Sequence, residues 1–424
     1  MAAIDADLQA AFEYTFPLYE MARTRYFTVE LPANPNRGAN RIGHRRTLSD
    51  HTSRNVTTPN NDTLYSSAWL DLSAGPVEIT VPKISKRYWS FHFMDAYTST
   101  AELIGSRNAG EGDLKLWVVR DGDTGPVPAG VRVVRLPTRD VWMLVRILVD
   151  NPEDALLVHK LQDAIQLRVV NDSAAALTNP LAPKLKIGSP TDGANYLDVV
   201  NSMLARNPVP DARNILAGWQ KTGVLPGSTA TDASAKVWTD ALPELNKSIR
   251  DGVSMGARWV QRWQYPPDDV GLFGHNYTLR AAVALGGLGA LPAVEAVYLS
   301  AITDQQDQPL TGLARYRVKI PARGIPTNAF WSLSMYQIEA DGRLFFVDNA
   351  LKRYTVGDRT PGILKNADGS LDIVVQNIEP AEARDKANWL PTPSGPFRMM
   401  LRAYLPSDDL REGKAALPTV ERAP

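Results

Sequence analysis

Two blocks of short β-forming runs, held apart by a long stretch of helical period, constrain this chain more than any other feature. In the first block WLDLS, VEITVP, YWSFHFM, LKLWVV and VRVVRLP are rich in branched and aromatic residues and are bounded by Gly, Pro or Asp. In the second, EAVYLSAIT, ARYRVKIP, AFWSLSMYQ, LDIVVQN and FRMMLRAYLP follow a helical run, GHNYTLRAAVALGG, that Gly286 and Gly287 end. Short runs at regular spacing predict stacked antiparallel strands rather than a parallel α/β sheet. The 31 Pro and 29 Gly among 424 residues supply the turns.

Between the blocks, ANYLDVVNSMLARNP, DARNILAGWQKTG and SAKVWTDALPELNKSIRDGVSMGARWVQRW carry helical period. Trp219, Trp238, Trp259 and Trp263 there read as packing residues. The chain also opens on an amphipathic helix, with Leu8, Phe12, Leu18 and Met21 near one stripe. The expected fold is mainly β with an α connector. A β-barrel-like unit covers 1–170, a helical connector 171–274, and a jelly-roll or β-sandwich 275–424. NPEDALLVHKLQDAIQLRVVN is expected to close the first unit as a helix capped by Asn151. YWSFHFM and FWSLSMY share an aromatic pattern, which hints at similar packing in the two units.

Forty-six basic residues balance 46 acidic ones, which argues against a nucleic-acid binder or a polybasic membrane partner. Without cysteine there is no disulfide, thiolate metal site or Cys nucleophile. GGLGAL follows a helix instead of opening one, so the helix N-terminus that phosphate binding needs is missing. No HExxH, GxSxG, Walker or EF-hand loop occurs. No metal or cofactor is therefore expected. No window approaches 18 uninterrupted apolar residues, and the start lacks a secretion leader. The chain as given reads as cytoplasmic, or as periplasmic or secreted if a leader was removed; self-association is compatible with either.

Candidate chemistry gathers in two places in the first block. TTPNNDTLYSSAWLDL holds Asn60, Asn61 and Asp62 in a turn, then Tyr65, Ser67 and Trp69 on one strand face. It reads as a pocket lip or as a hydrogen-bonded corner. RYWSFHFMDAYTST puts Tyr88, Ser90 and His92 on one face and ends at Asp95. His92 is a candidate base or acid, or a satisfied core histidine. In the second block Asn276 and Arg280 share a helix face, where Arg280 could hold a carboxylate or tie the helix down. Trp331 and Tyr336 fall on opposite faces of the aromatic strand AFWSLSMYQ.

Taken in order, PNNDTLYSSAWLDL and RYWSFHFMDAYT, with His44 before them, resemble the domain-of-unknown-function family 1254. HNYTLRAAVALGGLGAL, FWSLSMY, RYTVGDRTPG, NADGSLDI and NWLPTPSGPF resemble family 1214, which is found paired with it in bacteria. The resemblance implies a β-barrel-like unit followed by a jelly-roll, and carries no catalytic residues across. From the residues themselves, the expectation is an enzyme acting on a small organic molecule by cofactor-free acid–base chemistry, a hydrolase or lyase. Asp62, Tyr65, His92 and Asp95 are its candidate catalytic groups. Asn60, Asn61, Trp69, Asn276, Arg280, Trp331 and Tyr336 are candidate binding residues. The alternative is a non-catalytic site for a carbohydrate or apolar ligand.

Overall fold

The computed structural model of the chain describes residues 5–34, 37–110, 112–170, 191–209, 212–252 and 256–423. Helix α1 (Ala6–Arg25) starts where the Asp5 carboxylate accepts from the Asp7 and Leu8 N–H groups. The first β unit then runs β1 (Ile42–His44), β2 (Thr63–Asp71), β3 (Val77–Val81), β4 (Trp89–Met94), β5 (Thr100–Gly105), β6 (Leu114–Arg120), β7 (Arg132–Leu136) and β8 (Asp140–Leu148). Helix α2 (Ala155–Asp163) and β9 (Gln166–Val169) complete it.

Its strands form two stacked sheets, β1-β2-β8-β4-β5 and β7-β6-β3-β9. Leu64, Phe91, Val145, Ile79, Leu116 and Val118 fill the space between them. Neither sheet closes on itself, so the unit is a sandwich with open edges rather than a barrel.

Helices α3 (Gly193–Arg206), α4 (Ala212–Ala217) and α5 (Asp232–Gly252) follow, then a hairpin of β10 (Arg258–Val260) and β11 (Trp263–Tyr265), and α6 (Tyr277–Gly286). Phe12, Tyr196, Val200, Trp238 and Ala281 join α1, α3, α5 and α6 in a separate helical core. Among the described residues, no helix is long and apolar enough to cross a membrane.

The second β unit contains β12 (Ala296–Ala301), β13 (Arg315–Ile320), β14 (Thr327–Ile338), β15 (Leu344–Phe345), β16 (Thr355–Gly357), β17 (Leu371–Gln376), β18 (Trp389–Pro391), β19 (Phe397–Pro406) and β20 (Thr419–Ala423). One sheet is ordered β10-β11-β12-β19-β14-β15, with β16 also on β14, and the other β18-β17-β13-β20. The plan repeats that of the first unit. The triplet β12-β19-β14 matches β2-β8-β4, and β18-β17-β13-β20 matches β7-β6-β3-β9, each with one parallel edge pair.

The structure differs from the sequence expectation in three elements. The helix expected over 151–171 stops at Asp163, and Gln166–Val169 pairs with Val77–Thr80 as β9. Apolar spacing continued through LQDAIQL, but the free edge of β3 outweighed it. The run VWMLVRIL forms β8, the central strand of its sheet. A central strand covered on both faces lacks the alternation that marks a strand in sequence. Within the helical stretch, RWVQRWQY folds back as β10–β11, with Gln261 and Arg262 at positive φ in the turn. Residues 171–190 lie outside the described ones.

Equivalent glycines in the two units sit against neighbouring-strand backbone. A Cβ on Gly105 would stand 2.2 Å from the Trp89 carbonyl oxygen, and one on Gly357 would stand 2.3 Å from that of Trp331. Backbone cannot yield as a side chain can. Gly105→Ala and Gly357→Ala should each cost about 2–3 kcal/mol in denaturant melts. Gly112→Ala, with nothing within 4 Å, should stay within about 0.5 kcal/mol of wild type.

Candidate functional site

In the first unit, the sheet face turned away from the sandwich core is polar. Register places Tyr65 of β2 beside Arg146 of β8, Arg146 beside Ser90 of β4, and Ser90 beside Gly105 of β5. His92 lies on the same face, one step along. Part of this face is covered by the β12-β19-β14 sheet of the second unit, which packs over it through Tyr88, Leu148, Phe330 and Tyr404. The Tyr88 ring meets Phe330 edge-on at 5.8 Å and Tyr404 at 4.8 Å.

Arg146 is 4 % exposed and, among the described residues, has no carboxylate within ion-pairing distance. Its Nη2 donates to the Gly289 carbonyl at 2.6 Å, and its Nη1 faces His92 Nδ1 at 3.4 Å. Its Nε has no hydrogen-bond partner among the described residues. The guanidinium lies over the Tyr65 ring at 5.3 Å. Leaving a buried cation this poorly compensated costs several kcal/mol. His92 is fully buried; desolvation, then the charge of Arg146, holds its pKa well below the usual imidazole range. A neutral ring satisfies both neighbours if Nδ1 accepts from Arg146 and Nε2–H donates to Thr100 Oγ1 at 2.8 Å. His92 therefore positions Arg146.

The opposing face carries a second buried arginine. Arg402 of β19 stands in register between Tyr298 and Ser332. Its Nη1 donates to Ser334 Oγ at 2.7 Å and its Nη2 to the Thr58 carbonyl at 3.0 Å. Among the described residues it too has no carboxylate within ion-pairing distance, although Asp62 is in electrostatic reach. Desolvation raises the Tyr298 phenol, and both Arg146 and Arg402 pull against that rise. Tyr404 is pushed well above its ordinary range by burial, then by Tyr298 and Tyr65. Phenols from both sheets and the two guanidinium groups thus share one chamber. Around these groups Tyr65, Ser67, Trp142, Leu288, Tyr298 and Met400 are only half-buried.

Acid–arginine pairs close the seam beside the chamber. Asp62 accepts from Ser332 Oγ at 2.6 Å and from Arg359 at 3.1 Å, while Asp358 lies 3.6 Å from Arg359. Glu295 accepts from Tyr88 at 2.9 Å and from Arg107 at 2.8 Å. Asn60 accepts from the Asp62 and Thr63 N–H groups and donates to the Tyr404 hydroxyl at 2.7 Å. Tyr336 donates to the Pro59 carbonyl at 2.6 Å. The PNND turn is a corner that clamps one unit to the other.

Of the residues singled out from sequence, Tyr65 and His92 meet at Arg146, and Asn60, Asp62 and Tyr336 lie along the seam. Trp69 shares the Tyr65 face, stacked on Trp142 at 6.0 Å, its indole N–H without a partner among the described residues. Asn61 donates to the Ser49 carbonyl, His44 meets Ser66 on the opposite sheet face, and Trp331 belongs to the second sandwich core. Among the described residues, no three His, Asp or Glu gather as metal ligands.

Asp95, Asn276 and Arg280 assemble elsewhere. Asn276 caps α6 by accepting from the Leu279 N–H. Arg280 sits among the rings of Tyr14, Tyr97 and Tyr277 at 5.0, 5.5 and 4.8 Å and joins the helical layer to the turn after β4. Arg146, Tyr298, Arg402 and Tyr404 were not singled out. Their signal is an arginine inside an otherwise apolar run, in VWMLVRIL and again in FRMMLRAYL.

Asp95 accepts from the Tyr97 and Ser99 N–H groups, yet desolvation pushes its carboxyl up to about 6. The native state then holds this proton more tightly than the unfolded chain does. Its contribution makes stability fall as pH rises from about 4 to about 6. Asp95→Asn should flatten that part of a stability–pH curve measured by denaturant; an unchanged slope would contradict the assignment.

Residues 39–169 match the family model described as protein of unknown function DUF1254, and residues 295–408 match that described as DUF1214. No curated protein matches the chain. A crystal structure of the VPA0106 protein from Vibrio parahaemolyticus is similar over 99 % of both chains, at 25 % identity and a TM-score of 0.73. An uncharacterized protein from Burkholderia cenocepacia aligns over 97 % of this chain and 88 % of its own, at 16 % identity and a TM-score of 0.48. The DUF1254 match thus falls on the first sandwich and the DUF1214 match on the second, in one chain.

Proposed function

We propose that the protein acts on a small organic molecule held between the two polar sheet faces, by side-chain acid–base chemistry of the hydrolase or lyase type. One observation carries this reading: Arg146 and Arg402, both almost wholly buried and, among the described residues, neither with a carboxylate in ion-pairing distance, stand on facing sheets within electrostatic reach of the same Tyr298 phenol. A purely structural core would have little reason to retain such a charge. In a water-poor chamber a fixed guanidinium stabilises negative charge that develops on a bound molecule. Tyr65 and Tyr298, half-buried at the border, are the proton donors within reach of that charge.

The second reading is a non-catalytic carbohydrate or apolar-ligand site. It is favoured by Trp259, 50 % exposed beside a surface hollow bordered by Gln261, Arg262, Thr303 and Asp307.

A thermal-shift screen of small polar metabolites separates the two. We expect ligands that raise Tm in wild type and lose that effect in Met400→Trp, which fills the chamber border. With such a ligand as substrate, Tyr65→Phe or Tyr298→Phe should lower turnover about 10²-fold with little change in binding. Ligands whose effect survives Met400→Trp but disappears in Trp259→Ala would favour the second reading.

A further inference from the structure

The two halves of the chamber are the same construction twice. Read across its sheet, the first unit gives Tyr65–Arg146–Ser90–Gly105, and the second gives Tyr298–Arg402–Ser332–Gly357. All four residue types agree at matching register. The match continues along the strands: Tyr65-Ser66-Ser67-Ala68 stands against Tyr298-Leu299-Ser300-Ala301, and Trp89-Ser90 against Trp331-Ser332.

The contacts between the units are reciprocal as well. Asp62, immediately before β2, reaches Ser332 and Arg359, the latter two residues after Gly357. Glu295, immediately before β12, reaches Tyr88 and Arg107, two residues after Gly105. Each buried arginine donates to a carbonyl of the other unit, in the loop ahead of that first strand. Arg146 takes Gly289 and Arg402 takes Thr58, and both acceptor residues have positive φ, +86° and 51°. Even the side chain steadying Nη1 is equivalent: His92 for Arg146, Ser334 for Arg402. Such exchange of like contacts is the pattern of a two-fold interface between identical subunits. Here both partners lie in one chain.

From this we infer that the chamber lies on an internal pseudo-two-fold axis and takes a small organic dicarboxylate, one carboxylate at Arg146 and the other at Arg402. The inference rests on the chamber being a ligand site and adds the class of ligand. The nearest acids cannot serve as counter-ions for both arginines, since Asp62 is engaged by Arg359 and Ser332, and Glu295 by Arg107 and Tyr88. Two guanidinium groups on facing sheets, each with a tyrosine beside it, call for negative charge at two separated points. A planar carboxylate matches guanidinium geometry at each. The phenols of Tyr65, Tyr298 and Tyr404 offer hydrogen bonds between them.

The test is calorimetric titration of the full chain with a series of α,ω-dicarboxylates of increasing length, length-matched monocarboxylates, inorganic phosphate and neutral diols. We expect an optimum at one dicarboxylate length and at least tenfold weaker binding of the matched monocarboxylate. Arg146→Met and Arg402→Met should each reduce the dicarboxylate to the monocarboxylate level. Arg146→Lys and Arg402→Lys, which keep the charge, should recover part of the loss, with circular dichroism confirming that each variant is folded. Equal binding of mono- and dicarboxylates, tighter binding of phosphate, or indifference to Arg402→Met would overturn the inference. If neutral molecules bind in a manner blocked by Met400→Trp while no dicarboxylate does, the ligand class is wrong and the chamber reading stands. If nothing binds there, both fall.

Discussion

Everything in this molecule depends on burying two polar sheet faces against each other. A β-sandwich normally hides one face of each sheet and wets the other. Here the outer face of one sheet in each unit meets its counterpart, so serine, tyrosine, histidine and arginine side chains are carried into the interior. The fold tolerates this because almost every polar group finds a partner across the seam. Asp62 and Glu295 each accept a hydroxyl and a guanidinium, and Asn60 and Tyr336 bind Tyr404 and the Pro59 carbonyl. Among the described residues, Arg146 Nε and the Trp69 indole N–H on the first unit's polar face, and Thr63 Oγ1 and Arg359 Nε beside Asp62, are buried without a hydrogen-bond partner.

The helical layer plays a supporting part. Helices α1, α3, α5 and α6 form their own core and cover the rest of the first unit's polar face. Met21 of α1 packs on Trp69, Met94 and Leu144 there. Arg206 and Arg25, at the ends of their helices, are pinned by Asp140 and Asp71. These buried arginines have carboxylates in contact, which sharpens the contrast with Arg146 and Arg402. Arg280 is an intermediate case, caged by three tyrosine rings with Asp95 in electrostatic reach.

Much of the fold was legible in the sequence. Turn residues bracket β3, β4, β6, β13, β14 and β17, and alternation or branched residues fill them, so local chemistry and tertiary structure agree. The helical middle and the opening helix were legible from period alone. Strand β8 was not, because a run buried on both faces has no period to read. The β9 edge strand was lost to a helical pattern that ran on past Asp163. The candidate site was legible in part. Tyr65 and His92 attract notice as chemically able residues beside turns, but Arg146 and Arg402 look like single charges in apolar strands until the sheets are stacked.

The sequence by itself determined two β units around a helical middle, the turns that bound their strands, and the absence of thiol chemistry and of an excess of charge. Those properties follow from local composition and spacing, which act over a few residues. Only the tertiary structure decided that the units share one plan, that their polar faces meet, and that Tyr65 and Arg146 stand opposite Tyr298 and Arg402. The residues involved lie hundreds of positions apart, and their pairing is set by sheet register and by which face each sandwich leaves uncovered. Neither is written in any one stretch of chain.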